Sequence, residues 1–365
     1  MKNTFGNALT VTLFGESHGS MIGAVLDGLA PGITVDDEAI RHRLALRRPH
    51  GKIATARRED DPYLIVSGVF NQKTTGTPLT LLIPNEKQNS RDYAKDYGKA
   101  RPGHADYTAF VKYHGFEDYR GGGHFSGRIT APLVAVGAIL QDALSKKGIT
   151  IGTHVKRCAG IDDAPFQHYK EDIEALNQKT FAVLDDQKEP LMVNAIEKAA
   201  SEGDSVGGIL ETVILGVPAG VGEPWFDSVE SMLSHALFSI GGVKGVAFGD
   251  GFAIADKKGS EANDGLSVQN GRVTLLSNHS GGINGGITNG MPIVFETAVR
   301  PTPSIFKEQE TVDFLTGDNT LFSLTGRHDP CIVHRVRAVV DAVAAIVVAD
   351  LLTQRFGTDY LANER

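Results

Sequence analysis

Gly15-Glu16-Ser17-His18-Gly19 returns far down the chain as Gly203-Asp204-Ser205-Val206-Gly207, and the residues after each copy also match in order. Gly28-Leu29-Ala30-Pro31-Gly32 lies at the same offset after the first copy as Gly216-Val217-Pro218-Ala219-Gly220 does after the second. A helix start comes next in each case: Asp36 with Asp37 and Glu38 in its first turn, and Asp227…Glu230 at capping-box spacing. Gly76-Thr77-Pro78-Leu79 opens a strand much as Gly290-Met291-Pro292-Ile293 does, and Gly127-Arg128 and Gly326-Arg327 each precede an apolar helix. One match arises by chance; several in the same order indicate two related halves, roughly 1–150 and 190–365, within a single domain. This predicts an α+β fold of two similar strand-and-helix layers about a pseudo-twofold, with loops from both halves meeting in a cleft. The halves differ in chemistry, because Val206 stands where the first half has His18.

Apolar alternation places strands at Ala8–Phe14, Met21–Leu26, Tyr63–Phe70, Pro78–Pro84 and Ile149–Arg157. Asp36 is read as the cap of a helix reaching about Leu46. Thr130 is read as the cap of a second, with Pro132 in its first turn, Gly148 closing it, and Leu133, Val136, Ile139, Leu140 and Leu144 on its core face. The polar segment 162–187 reads as a surface excursion, Pro190–Ala200 as a helix, and Ile332–Gln354 as the last one.

The chain is long enough, at 365 residues, for one large domain or two. Its 42 glycines exceed the usual ~7% and fall in motifs rather than in one tract, which suggests tight turns and close ligand approaches. A net charge of -8 argues against nucleic-acid or membrane-surface binding, although Arg41, Arg43, Arg47, Arg48, Arg57 and Arg58 cluster. Those arginines read either as a solvated face or as an anion site. Two cysteines, Cys158 and Cys331, give neither a disulfide framework nor a cysteine metal site. The apolar run near Ala344–Leu352 is too short to span a bilayer and is interrupted by Asp341 and Asp350, so the expected location is cytoplasmic.

The segment Arg101–Ala131 concentrates the chemistry: Arg101, His104, Asp106, His114, Arg120, His124, Ser126 and Arg128 around Gly121-Gly122-Gly123. Glycine runs let backbone donors approach a ligand, arginine supplies a fork for phosphate or carboxylate, and histidine passes protons near neutrality. Together these favour an anion site with proton transfer. Gly15–Gly19 also satisfies the G-x-S-x-G nucleophile elbow, but that motif needs a helix after it, and here a glycine-broken extended segment comes next. Ser17 is better read as binding a ligand or orienting His18. Asn278-His279-Ser280-Gly281-Gly282-Ile283-Asn284-Gly285-Gly286 is a second loop suited to a flat ring or a phosphate, and Arg300-Pro301-Thr302-Pro303-Ser304 adds a rigid, donor-bearing segment. No closely paired metal ligands are present, so no metal is expected. The residues alone leave a serine hydrolase and a non-catalytic flavin- or nucleotide-binding protein as alternatives.

Phe14-Gly15-Glu16-Ser17-His18-Gly19, Arg101-Pro102-Gly103-His104-Ala105-Asp106-Tyr107, Tyr119-Arg120-Gly121-Gly122-Gly123, Asn278-His279-Ser280-Gly281-Gly282 and Gly326-Arg327-His328-Asp329-Pro330-Cys331 together closely resemble the chorismate synthase family. The resemblance implies a β-α-β sandwich and a homotetramer. It also implies 1,4-anti elimination of phosphate from 5-enolpyruvylshikimate 3-phosphate, requiring reduced FMN without net redox change. By the same resemblance Arg47, Arg48, Arg101, Arg128, Arg327 and Lys52 bind substrate. His18 protonates the leaving phosphate with Ser17 nearby, and His104 works beside the flavin. Asp329 helps remove the C6 proton, and Ser126 assists at the flavin. FMN contacts carry over to His124, Phe125, Ser126, Gly241, Gly242, Gly285, Arg300, Pro301, Thr302, Pro303, Ser304 and Arg327. Three departures from the family pattern stand out: His124 replaces its usual arginine, Lys52 matches its basic residue only across a one-residue deletion, and His334 stands where proline is common before the last helix. With no added reductase domain in view, NADPH is expected only indirectly, through an external flavin reductase.

Overall fold

The computed structural model describes residues 2–49, 51, 53–54, 60–86, 97–323 and 328–362. Among the site residues expected from sequence, Lys52 and Arg327 lie outside the described residues, as do Arg57 and Arg58.

The first half builds an antiparallel sheet from β1 (Thr4–Phe5), β2 (Thr10–Gly15), β3 (Met21–Asp27), β4 (Leu64–Ser67) and β5 (Leu79–Pro84), in the order β1-β2-β3-β5-β4. In β5, Leu79, Leu81 and Ile83 are buried and alternate with half-buried neighbours, so one face of the sheet supplies the core. The strand expected at Tyr63–Phe70 breaks at Gly68, where φ is +84° and any Cβ would come 2.4 Å from Leu79 Cα. Beyond that break, Val69–Phe70 pairs in a separate ribbon with Lys73–Thr74.

The second sheet is formed by β6 (Thr150–Cys158), β7 (Ile161–Asp162), β8 (Gly208–Leu215), β9 (Val243–Phe248) and β10 (Ile293–Val299), in the order β9-β10-β8-β6-β7. The strand after each G-x-S-x-G turn pairs antiparallel with the strand after each Gly-x-Pro. Met21 faces Pro84 and Leu26 faces Leu79 in one sheet; Gly208 faces Val299 and Ile214 faces Ile293 in the other. The turns beyond these strands are closed by matching threonines. Thr74 Oγ1 accepts from Ile33 N at 2.9 Å and donates to Ala30 O at 2.6 Å. Thr288 Oγ1 accepts from Val221 N at 2.9 Å and donates to Pro218 O at 2.7 Å.

Helices α1 (Asp37–Arg47), α2 (Asp106–Tyr113), α3 (Thr130–Ser145), α4 (Tyr169–Leu176), α5 (Lys188–Ser201), α6 (Val229–Leu237) and α7 (Val333–Phe356) complete the architecture. Helix α3 packs on β3 and β5 of the first sheet, while α7 packs on β6 and β8 of the second. The two helices pack on each other, with α1 against both and α6 against α7, so a helical layer separates the sheets in a β-α-β sandwich. Close contact is possible because the seam is lined by small residues; a Cβ on Gly137 would lie 2.4 Å from Ala342 Cβ. Within this layer Arg337 and Asp341 are fully buried. Arg337 donates to Leu176 O at 3.2 Å and Lys179 O at 2.7 Å, and Asp341 accepts from Thr153 Oγ1 at 2.6 Å. Among the described residues, no helix is long and apolar enough to cross a membrane.

Three local expectations need correction. Thr130 is the first residue of α3 and not its cap; its hydroxyl donates back to Gly127 O at 2.6 Å. Ser228 rather than Asp227 caps α6, accepting from Ser231 N at 3.1 Å, because Asp227 is held in the preceding turn of Trp225–Asp227. Segment 162–187 is not wholly a surface excursion. It contains α4, which buries Ile173 and Leu176, and then Phe181 and Val183, in a stretch too short for the helical period to stand out.

Candidate active site

Asp36 caps α1 by accepting from Glu38 N at 2.8 Å, and α1 carries Arg47 to its last turn, with Arg48 just beyond. Arg41 stays solvated, pairing with Asp37 at 2.5 Å, whereas Arg47 is buried. The basic cluster is therefore split between a surface and a site. Asp106, opening α2, accepts from Arg101 Nε at 2.7 Å and from His104 Nδ1 at 2.8 Å. Burial alone would raise the Asp106 carboxyl, but the hydrogen bonds from Arg101 and His104 outweigh it and hold the group well below the usual carboxylate range. His104 is thereby fixed through Nδ1, which leaves Nε2 outside this hydrogen bond.

Gly121, Gly122 and Gly123 all take positive φ. At Gly121 the requirement is steric, since a Cβ there would lie 2.1 Å from His18 Cε1. Ser17 and His18 are buried behind this turn. Ser17 N donates to Gly123 O at 3.1 Å, and Ser17 Oγ donates toward Arg120 O and Gly121 O at 3.2 and 3.3 Å and lies 3.0 Å from His18 Nδ1. This is not a nucleophile elbow: the hydroxyl is enclosed and the strand β3 comes after it. His124, in place of an arginine, gives its Nδ1–H to Gly15 O at 2.8 Å and so ties the glycine turn to β2. Ser126 accepts from Arg128 N at 3.3 Å. Arg128 in turn donates to Asn85 Oδ1 at 3.1 Å and Pro84 O at 3.2 Å, and pairs with Asp61.

These groups surround one cavity of about 920 Å³. Its wall includes Arg47, Arg48, Arg101, His104, His124, Phe125, Ser126 and Arg128 from the first half. Gly241, Gly242, Asp329 and Arg300, Pro301, Thr302, Pro303 and Ser304 come from the second. Ser17 and His18 are not on the wall itself but are separated from it by the glycine backbone at Gly121, which is. Gly285 lies apart, in the turn joining Ile283–Asn284 to Ile287–Thr288.

Four residues of the wall carry weight that sequence reasoning did not give them. Asp61 pairs with Arg47, and Arg335 pairs with Asp329 while its Nε donates to Arg47 O at 2.9 Å. His328 and Lys244 also line the cavity, and burial pushes the His328 imidazole down, with the Arg101 cation adding to the effect. The signal for Arg335 was its place in the first turn of α7, just after Asp329; Asp61 carried no signal in sequence. Thr302 Oγ1 donates to Asp329 O at 2.6 Å and Ser205 Oγ to Thr302 O at 2.7 Å, so the second half's G-x-S-x-G turn braces the loop that bears Asp329.

The arrangement suits a polyanion beside a flat ring. Buried Arg47 Nε and Arg48 Nε lack hydrogen-bond partners among the described residues, as expected of donors meant for an anion. Gly103, Gly121, Gly241 and Gly242 leave backbone rather than side chains on parts of the wall, and the volume suffices for a cofactor and a small substrate together. Among the described residues no group of three His, Cys, Asp or Glu side chains could hold a metal ion.

A family model described as chorismate synthase matches residues 9–353. A chorismate synthase of Chitinophaga pinensis is 46% identical over 355 residues, covering 97% of this chain and 98% of that protein. One from Thermococcus gammatolerans is 45% identical over 350 residues, covering 96% and 97%. A solved structure titled "Crystal Structure of Chorismate Synthase" superposes with a TM-score of 0.77 at 29% identity, covering 97% of this chain and 94% of that one.

Proposed function

The chain belongs to the chorismate synthase family and is an enzyme of that activity, and on this premise we propose that the cavity binds 5-enolpyruvylshikimate 3-phosphate beside reduced FMN and eliminates phosphate from it. One observation carries the reading: Arg47, Arg48, Arg101 and Arg128 converge with His104 and Asp329 on a single cavity in a protein of net charge -8. A substrate with one phosphate and two carboxylates needs such a local excess of cations, and Lys52 and Arg327 would add to it.

In the elimination the C6–H and C3–O bonds break, a second ring double bond forms, and phosphate leaves. Guanidinium groups neutralise charge as it develops on the phosphate, which lowers the barrier because they are already in place. By the family resemblance His18, seated just behind the Gly121 backbone, supplies a proton to the departing phosphate across that turn, with Ser17 Oγ at 3.0 Å orienting its ring through Nδ1. Asp329 accepts the C6 proton, held in position by Arg335 and by the Thr302 bond to its backbone. His104, fixed by Asp106, would hold or release a proton at Nε2 within the cavity, with Ser126 also on its wall. His124, Phe125, Ser126, Gly241, Gly242, the Arg300–Ser304 segment and Arg327 would hold FMN, and Gly285, which lies apart from this cavity in the single chain, would contribute only in the assembled homotetramer. When bound, the reduced flavin supplies transient electron density to the substrate.

The same reading includes a single domain of two related halves, assembly as a homotetramer, and operation in the cytoplasm. NADPH enters only through an external flavin reductase. An anaerobic assay tests the core of it: chorismate and phosphate should appear in equal amounts with reduced FMN and not when it is omitted. Product formation without flavin, or none with it, would overturn the proposal.

A further inference from the structure

Asp61 is a carboxylate with no part in the chemistry above, yet three arginines of the cavity wall meet on it. Its Oδ2 lies 3.0 Å from Arg47 Nη2 and 3.9 Å from Arg48 Nε, and its Oδ1 pairs with Arg128. Arg47 and Arg48 come from the end of α1, Arg128 from the turn before α3. Asp61 therefore ties two separate elements together at this point of the wall. Its backbone adopts φ +46°, a left-handed conformation that aspartate tolerates better than most non-glycine residues.

We propose that Asp61 is a positioning residue for the elimination, an enclosed carboxylate that gathers Arg47, Arg48 and Arg128 into one cationic wall. Three guanidinium groups at this spacing repel one another, and one carboxylate among them offsets that repulsion while leaving two positive charges unbalanced for an anion. The carboxylate side chain is 0% exposed with the guanidiniums around it, so although Asp61 belongs to the cavity wall an incoming anion meets the guanidiniums first. Burial pushes the Asp61 carboxyl up, but the Arg47 and Arg128 charges prevail and hold it low, in keeping with a permanent anion. The proposal rests on the reading of the cavity as a polyanion site.

The sign of one substitution separates positioning from simple counter-charge. If Asp61 only diluted the positive field, Asp61→Asn would tighten anion binding. If it positions the arginines, the same change weakens binding although the net positive charge has risen. KM for 5-enolpyruvylshikimate 3-phosphate and the dissociation constant of inorganic phosphate, measured by calorimetry on folded protein, are expected to rise about tenfold or more, with a smaller fall in kcat. Unchanged or tighter binding overturns the proposal. Should Asp61→Asn not fold, Asp61→Glu keeps the charge and displaces the carboxylate by one methylene; a several-fold rise in the same constants supports positioning, and wild-type values refute it. If the wild type fails to turn over this substrate, the functional reading falls, while the phosphate comparison still decides the role of Asp61.

Discussion

The two imidazoles proposed for proton transfer have different mountings. His104 lies on the cavity wall with Nδ1 held by a carboxylate, whereas His18 is buried behind a glycine backbone with Nδ1 against a serine hydroxyl. Losing a positioned acid or base costs about 10²–10⁴-fold in rate, so His18→Ala and His104→Ala should each lower kcat by that order while substrate still binds. Single-turnover and equilibrium-binding measurements check this, and wild-type kcat in either variant would sink the assigned role. Why both stood out as candidates in the sequence is plain: each sits beside a glycine turn in a signature segment, while their roles were implied by the family resemblance. Asp61 could not be read, because an aspartate in a polar loop has no meaning until Arg128, far along the chain, closes on it.

At the level of elements, the strand and helix order was readable wherever apolar spacing was regular, as in β5 and α3. It failed where a local competitor intervened: Ser228 displaced Asp227 at the start of α6, and Gly68 interrupted an apolar run. The contact of α3 with α7 left no periodic mark, since it depends on a missing side chain at Gly137 rather than on one present. Gly137→Ala would press a methyl to 2.4 Å from Ala342 Cβ. Overpacking of this kind costs about 1–3 kcal/mol, more than the helix propensity that alanine gains. A lowered melting temperature is therefore expected by calorimetry, and a raised one would show that the helical layer can relax at no cost.

For the molecule as a whole, the proposed tetramer can be weighed directly. Sedimentation equilibrium should return four chains per particle, and a single-chain mass would refute it. The sole tryptophan, Trp225, is 83% exposed in the isolated chain. Its emission gives a second readout, because shielding by a neighbouring subunit would shift it to the blue relative to dilute, dissociated protein. The two-part plan was visible in the repeated turns, but how the copies divide their labour was not, because that depends on partners distant in sequence. Ser17 fastens the glycine turn, and its counterpart Ser205 fastens Thr302, which in turn holds the backbone of Asp329; Val206 N adds a bond to Pro330 O at 2.9 Å. The copy that carries valine in place of the imidazole thus braces the loop that bears Asp329. Damage at Ser205, though off the cavity wall, would loosen that loop, so the second turn steadies a cavity it does not line.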